Sequence, residues 1–220
     1  MSAWESIGKT YGEAISGVFP LHRAIVFAIG VIFSEATRKP LYTSIVKSIL
    51  SYEAGSIFFG HNSMVANMQV MSLLAGLLLV LVSWGATQLL INCLFSVVAS
   101  VTKVWDRVDR IKRSFVTTNA PMSVPERQGL IQFLDLSLSE PKKALQKLNA
   151  TVEISLAASI VCMLTGLRGS RLDLLLFAIF LISSVIVGAV SVHLFLADYF
   201  GLSLLRAELL GRKRPTPSSP

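Results

Sequence analysis

The chain has 220 residues, of which 53% are hydrophobic and 15% charged, with a formal net charge of +7 and a mean hydropathy of +0.64. Soluble domains carry about a quarter charged residues, so this composition excludes an ordinary soluble globule and points to a polytopic membrane protein. The two cysteines, Cys93 and Cys162, both lie in apolar runs, which excludes a disulfide framework or a cysteine-based zinc site.

The N-terminus lacks a basic n-region and a small-residue cleavage pattern, so no removable signal peptide is expected. Pro20, His22 and Arg23 precede an apolar run that Glu35 closes. Residues 21–34 are a marginal first span, because about 20 residues are usually needed. Arg23 could snorkel to a headgroup layer and lengthen it; a half-inserted or re-entrant helix is the alternative. After Arg38-Lys39-Pro40, Leu41, Ile45 and Ile49 repeat at four, which predicts an amphipathic helix in the interface plane up to Phe59. Residues 1–69 thus form an N-terminal segment with one marginal span and one interfacial helix.

Val70 to Val101 contains no charged residue and is the second span. The apolar seam Val101, Val104, Val108, Ile111 and Phe115 continues past it without Gly or Pro, which predicts one long helix that leaves the bilayer. Asp106 precedes Arg110 by four and Asp109 precedes Arg113 by four, a spacing that supports a solvated helix. Ser123 and Glu126 have capping-box spacing. A short helix is expected to follow, with Leu130, Phe133, Leu134 and Leu138 on one side. Ser139-Glu140-Pro141 is expected to open a separate helix, with Pro in its first turn. That helix leads into the third span, Ile154–Leu167. Arg168-Gly169-Ser170-Arg171 is a tight turn, and Leu172–Leu202 is the fourth span. Residues 203–220 are a basic, disordered tail.

The fold class is therefore all-α: a polytopic transmembrane helical bundle of about four spans, each of about 20 residues. The bundle covers 70–202, and a cytoplasmic helical stalk, 103–150, stands between spans 2 and 3. Lys103 to Lys147 holds nine Lys or Arg against five acids. Together with the basic tail, this places the stalk and both termini inside by the positive-inside rule. The expected location is a bacterial inner membrane.

No His-x-x-x-His helix face, Gly-x-Ser-x-Gly, P-loop or dinucleotide fingerprint occurs. The acids Glu35, Glu153, Asp173 and Asp198 lie in or at the ends of spans with no spacing that makes them converge. Enzymatic activity, a metal and a cofactor are not expected. No aromatic platform accompanies the basic residues, so nucleic acid is not an expected partner. Gln88, Asn92 and Ser96 repeat at four along span 2, near Ser83 and Thr87. With His193 on span 4, they could pack helices or line an oligomeric pore. Ser72 and Gly76, Ser155 and Ser159, Cys162 and Gly166, and Ser184 and Gly188 are small-x-x-x-small pairs that permit close helix approach.

The stalk residues Arg107, Arg110, Lys112, Arg113, Lys142 and Lys143, with Phe133, are expected to meet a partner or anionic lipid headgroups. The leading expectation is an oligomeric, non-enzymatic membrane protein that anchors or regulates a cytosolic protein. By size and topology alone it is analogous to the membrane subunits of bacterial phage-defence, superinfection-exclusion and toxin-immunity systems. A channel or transporter component using the polar strip is the competing class. A lipid-sensing surface scaffold built on residues 41–59 is the third.

Overall fold

The computed structural model describes residues 10–14, 21–38, 44, 69–101 and 124–210. The first stalk rod with Arg107, Arg110, Lys112 and Arg113, the interfacial helix of 41–59 apart from Ser44, and the last ten residues lie outside that set. The elements are α1 (Leu21–Arg38), α2 (Val70–Val101), α3 (Val124–Gly166), α4 (Arg171–Leu194), one π-helical turn (Phe195–Tyr199) and α5 (Phe200–Leu209); residues 10–14 are also helical. No strand occurs among the described residues.

Among the described residues, three helical stretches are long and apolar enough to cross a membrane: Val70–Val98, Pro125–Gly166 and Arg171–Ala207. Leu73, Leu77, Leu78 and Leu81 on α2 and Leu175, Ile179, Ile182 and Ile186 on α4 are exposed. Apolar side chains in such numbers on an outer face belong against lipid. The chain is thus an integral membrane protein by the length and apolarity of its helices. α1 is not among the three stretches: its 18 residues include Arg23, Glu35 and Arg38.

Two boundaries differ from the sequence-based expectation. α3 runs unbroken for 43 residues with Pro141 inside it, rather than as two helices divided at Ser139. Proline removes one backbone donor and crowds the preceding turn. Leu134, Leu138, Leu145 and Val152 nevertheless form one buried seam through that point, and a seam in one register favours one continuous rod. Residues 203–209, expected as disordered tail, are helical because Leu204 and Leu205 are buried.

The chain divides into two compact units. The first comprises residues 1–17, 91–149 and 188–220; the second comprises 18–90 and 150–187. α2, α3 and the α4–α5 run each contribute residues to both.

The first unit is built on aromatic rings. Tyr11, Phe95 and Phe195 meet pairwise edge to face, with centroids 5.2 Å (Tyr11–Phe95), 5.1 Å (Tyr11–Phe195) and 5.7 Å (Phe95–Phe195) apart. Edge-to-face geometry sets the positive ring edge on the negative face and adds about 0.5–1.5 kcal/mol per pair beyond burial. The Tyr11 hydroxyl shares a 3.0 Å hydrogen bond with Ser191 Oγ. Burial pushes the Tyr11 phenol above its ordinary value, against a smaller downward pull from that bond. The π turn puts Phe195 into this core, and the Phe200 N–H donates to the Phe195 carbonyl across the widened turn.

The second unit depends on close backbone approach. A Cβ on Gly30 of α1 would lie 2.7 Å from Gly76 Cα of α2, and one on Gly76 would lie 2.9 Å from the Phe27 carbonyl oxygen. The Ser72–Gly76 pair therefore serves packing within one chain. A Cβ on Gly166 would lie 2.7 Å from the Leu174 side chain, so the Cys162–Gly166 pair faces α4. Gly169 has φ +104° and makes the α3–α4 turn, a conformation other residues adopt only with strain. The Asp173 N–H then donates to Ser170 Oγ at 3.3 Å, an N-cap bond at the start of α4.

Gly76→Val is expected to destabilise the protein by about 1–3 kcal/mol, the usual cost of overpacking. At Gly85 an added Cβ meets nothing within 4 Å, so Gly85→Ala is expected to be neutral or stabilising by up to about 1 kcal/mol. Unfolding of both variants in mixed micelles checks this; equal effects would refute the α1–α2 crossing.

Candidate functional site

Charge inside an apolar bundle needs compensation, because lipid and packed side chains cannot solvate it. Glu153 on α3 is the largest instance: its side chain is 0% exposed. Two α1 residues meet it, both within the second unit. His22 Nε2 lies 3.0 Å from Glu153 Oε2. Arg23 Nε lies 3.5 Å from Oε1, an ion pair in which neither atom has a hydrogen-bond partner. The Arg23 guanidinium also stands 5.9 Å from the centroid of the Trp84 ring of α2, within cation–π range. Arg23 thus links Glu153 on α3 to Trp84 on α2.

The chemistry of this cluster follows from its donors. The guanidinium stays charged and faces Oε1 of Glu153, while His22 Nε2 lies at hydrogen-bond distance from Oε2. The Arg23 side chain is 32% exposed and is the open edge of the site. Arg23 therefore turns to Glu153 and Trp84, where the sequence suggested a snorkelling role.

The other acids take different partners. Glu35 of α1 accepts from Ser72 Oγ and from the Gln69 N–H at 3.5 Å, beside the start of α2, where the helix dipole favours negative charge. Asp173 is buried and accepts a 2.7 Å bond from Ser44 Oγ. Asp198 is exposed. Among the described residues no three His, Cys, Asp or Glu side chains gather as a metal-binding group.

The residues singled out from sequence separate into several groups. Ser184 is buried and donates to the Phe180 carbonyl of its own helix at 2.8 Å; Gly188 is buried. Gln88 is half-buried, whereas Asn92, Ser96 and His193 are exposed on the outer faces of their helices. The inward polar positions of α2 are Ser72, Ser83 and Thr87 instead. Phe133, Lys142 and Lys143 are exposed, and Lys143 pairs with Glu140 at 3.2 Å.

Sequence reasoning did not bring His22, Arg23 and Glu153 together. The available signal was complementarity: a lone acid in one apolar run and a His-Arg pair at the edge of another. No family model, curated protein or solved structure matches this chain.

Glu153→Ala removes the carboxylate facing Arg23. Because that guanidinium is partly exposed, the expected loss is on the order of 3 kcal/mol, the low end for breaking a buried pair. Arg23→Met combined with Glu153→Leu is expected to recover most of it. Chemical unfolding of Glu153→Leu, Arg23→Met and the double variant tests this; strictly additive losses would show that the pair does not interact.

Proposed function

We propose that the chain is a non-enzymatic, four-span membrane protein that self-associates and anchors or regulates a cytosolic protein through the basic segment between its second and third spans. The observation that carries this reading is the exposed apolar face of α3. Phe133 is 54% and Leu136 74% exposed, on a stretch that also carries Glu126, Arg127, Asp135, Glu140, Lys142, Lys143 and Lys147. Apolar side chains on a charged rod favour a protein groove over water or lipid.

The first span in this reading is α1. Its 18 residues give about 27 Å of rise, near the hydrocarbon thickness of about 30 Å, and the Glu153 contact compensates Arg23. Four spans put both termini and the 103–150 segment on one side, and their basic charge makes that side the cytoplasm. It supports the topology that residues 1–17, 91–149 and 188–220 belong to one compact unit. A bacterial inner membrane fits this charge pattern. The defence, exclusion and immunity systems named above fit by size and topology.

Two measurements test the reading. A cysteine at Glu140, with Cys93 and Cys162 replaced by Ala, is expected to resist membrane-impermeant maleimide in intact cells; labelling from outside would overturn the orientation. Pull-down in mild detergent is expected to lose its cytosolic partner, by about tenfold or more, in Phe133→Ser/Leu136→Ser, as for truncated interface anchors. Equal capture by that variant would remove this face from the binding role.

The Glu153–His22 pair favours a second reading, a proton-coupled transport component. In proteoliposomes that reading requires a pH-driven flux that Glu153→Gln abolishes while the fold persists. Absence of flux in the wild-type protein would reject it.

A further inference from the structure

The first unit contains a cavity of about 420 Å³, within the size range of small-ligand sites. Its polar wall carries two acids, Glu13 and Asp135, and two bases, Lys142 and Arg206. Leu138, Leu204 and Ala207 supply an apolar wall, and Tyr199 stands at the lining as well. Tyr199 ends the π turn. Such turns commonly occur at functional sites, and this one precedes the α5 residues that line the cavity.

The charges decide what fits. Two carboxylates and two cations sum to zero, so a purely anionic ligand would meet repulsion from Glu13 and Asp135. A purely cationic ligand would meet Lys142 and Arg206. A molecule with an ammonium and an oxyanion a few bonds apart satisfies both sets. Arg206 engages Asp135 through Nε, and the terminal N–H groups of a guanidinium suit a phosphate fork. A primary ammonium, with three N–H donors, suits the carboxylates better than a quaternary one, which has none and needs an aromatic cage.

Location points to the source. The 24 residues of α4 give about 36 Å of rise, against a hydrocarbon core of about 30 Å, so the π turn that follows stands just beyond the core, and its Tyr199 lines the cavity. Headgroups occupy that level of a span, with Tyr side chains among them.

We infer that this cavity is a binding site for a zwitterionic phosphate–primary ammonium headgroup, taken from a phosphoethanolamine lipid of the bilayer. Glu13 and Asp135 receive the ammonium, Lys142 and Arg206 receive the phosphate, and the leucines meet the start of the lipid chains. The site is independent of the docking face on Phe133 and Leu136, so either assignment can fail alone.

Native mass spectrometry of the delipidated full-length protein tests it, with phosphatidylethanolamine, phosphatidylcholine and phosphatidylglycerol added in turn. Phosphatidylethanolamine is expected to bind about tenfold more tightly than the other two, the scale of one charge-assisted hydrogen bond. Lys142→Gln, at an exposed side chain, is expected to weaken all three lipids, whose phosphate it would receive, without disturbing the fold, and Glu13→Gln to shift the preference toward phosphatidylglycerol. Equal binding of the three lipids, or a preference that Glu13→Gln leaves unchanged, would overturn the assignment. Water-soluble glycerophosphoethanolamine is the remaining arm. Weak binding by it supports the bilayer as the source. Binding as tight as the lipid's supports the ammonium–phosphate site and overturns its lipid source.

Discussion

Compensation of Glu153 is the constraint on which the second unit depends. An acid buried on α3 is stable only if a base reaches it, and the bases come from α1, more than a hundred residues earlier in the chain. Beside the apolar cluster that joins its Val26 and Ala36 to Leu79, Ala157 and Val161, two unlike forces hold α1. Coulombic attraction draws Arg23 and His22 to α3, and shape alone brings Gly30 against Gly76 on α2. Neither force is hydrophobic. That is reasonable for a protein whose outer faces meet lipid, because burying a leucine from lipid gains little and packing, small residues and polar bonds must do the joining.

The first unit follows a different logic. Its core uses rings, with Tyr11 from the N-terminal helical segment meeting Phe95 and Phe195. The π turn at Phe195–Tyr199 gives the helix an extra residue there and changes the phase of everything after it. Tyr199 stacks beside Phe195, while the α5 residues beyond it line the polar cavity. A purely α-helical continuation would set those side chains at different angles, so the turn links the aromatic core to the cavity wall.

Much of this arrangement is legible in sequence, and the reasons differ by element. The 32 uncharged residues of α2 and the apolar run of α4 announce themselves because lipid tolerates few alternatives. The α3–α4 turn is legible because Gly169 is the kind of residue a left-handed position requires. Pro141 misled for an instructive reason: local propensity argues for a break, while a buried leucine seam in one register carries the helix through it. Ser170 and Asp173 repeat the cap spacing noted at Ser123 and Glu126, so this start of a helix could have been read. The Gln88, Asn92 and Ser96 strip could not be assigned a side by periodicity. Spacing places residues on one face of a helix, but only the neighbouring helices decide which face turns inward, and here Ser83 and Thr87 do. The Glu153 cluster is tertiary in the same sense.

The same logic explains how a helix as charged as α1 belongs to this protein. On insertion scales an arginine costs about 2.5–3.5 kcal/mol at the centre of an isolated membrane helix and less near an end, where Arg23 stands, and a glutamate adds to that. In α1 each of these groups has its answer elsewhere: Glu153 on α3 answers Arg23, and Ser72 at the start of α2 answers Glu35. The penalty that marks α1 as a poor span in isolation is met only after α2 and α3 are in place. α2 and α4 are apolar enough to enter lipid on their own account, whereas α1 is held by its contacts with α2 and α3. Its marginal appearance in sequence and its central role in the second unit are thus two consequences of the same charged residues.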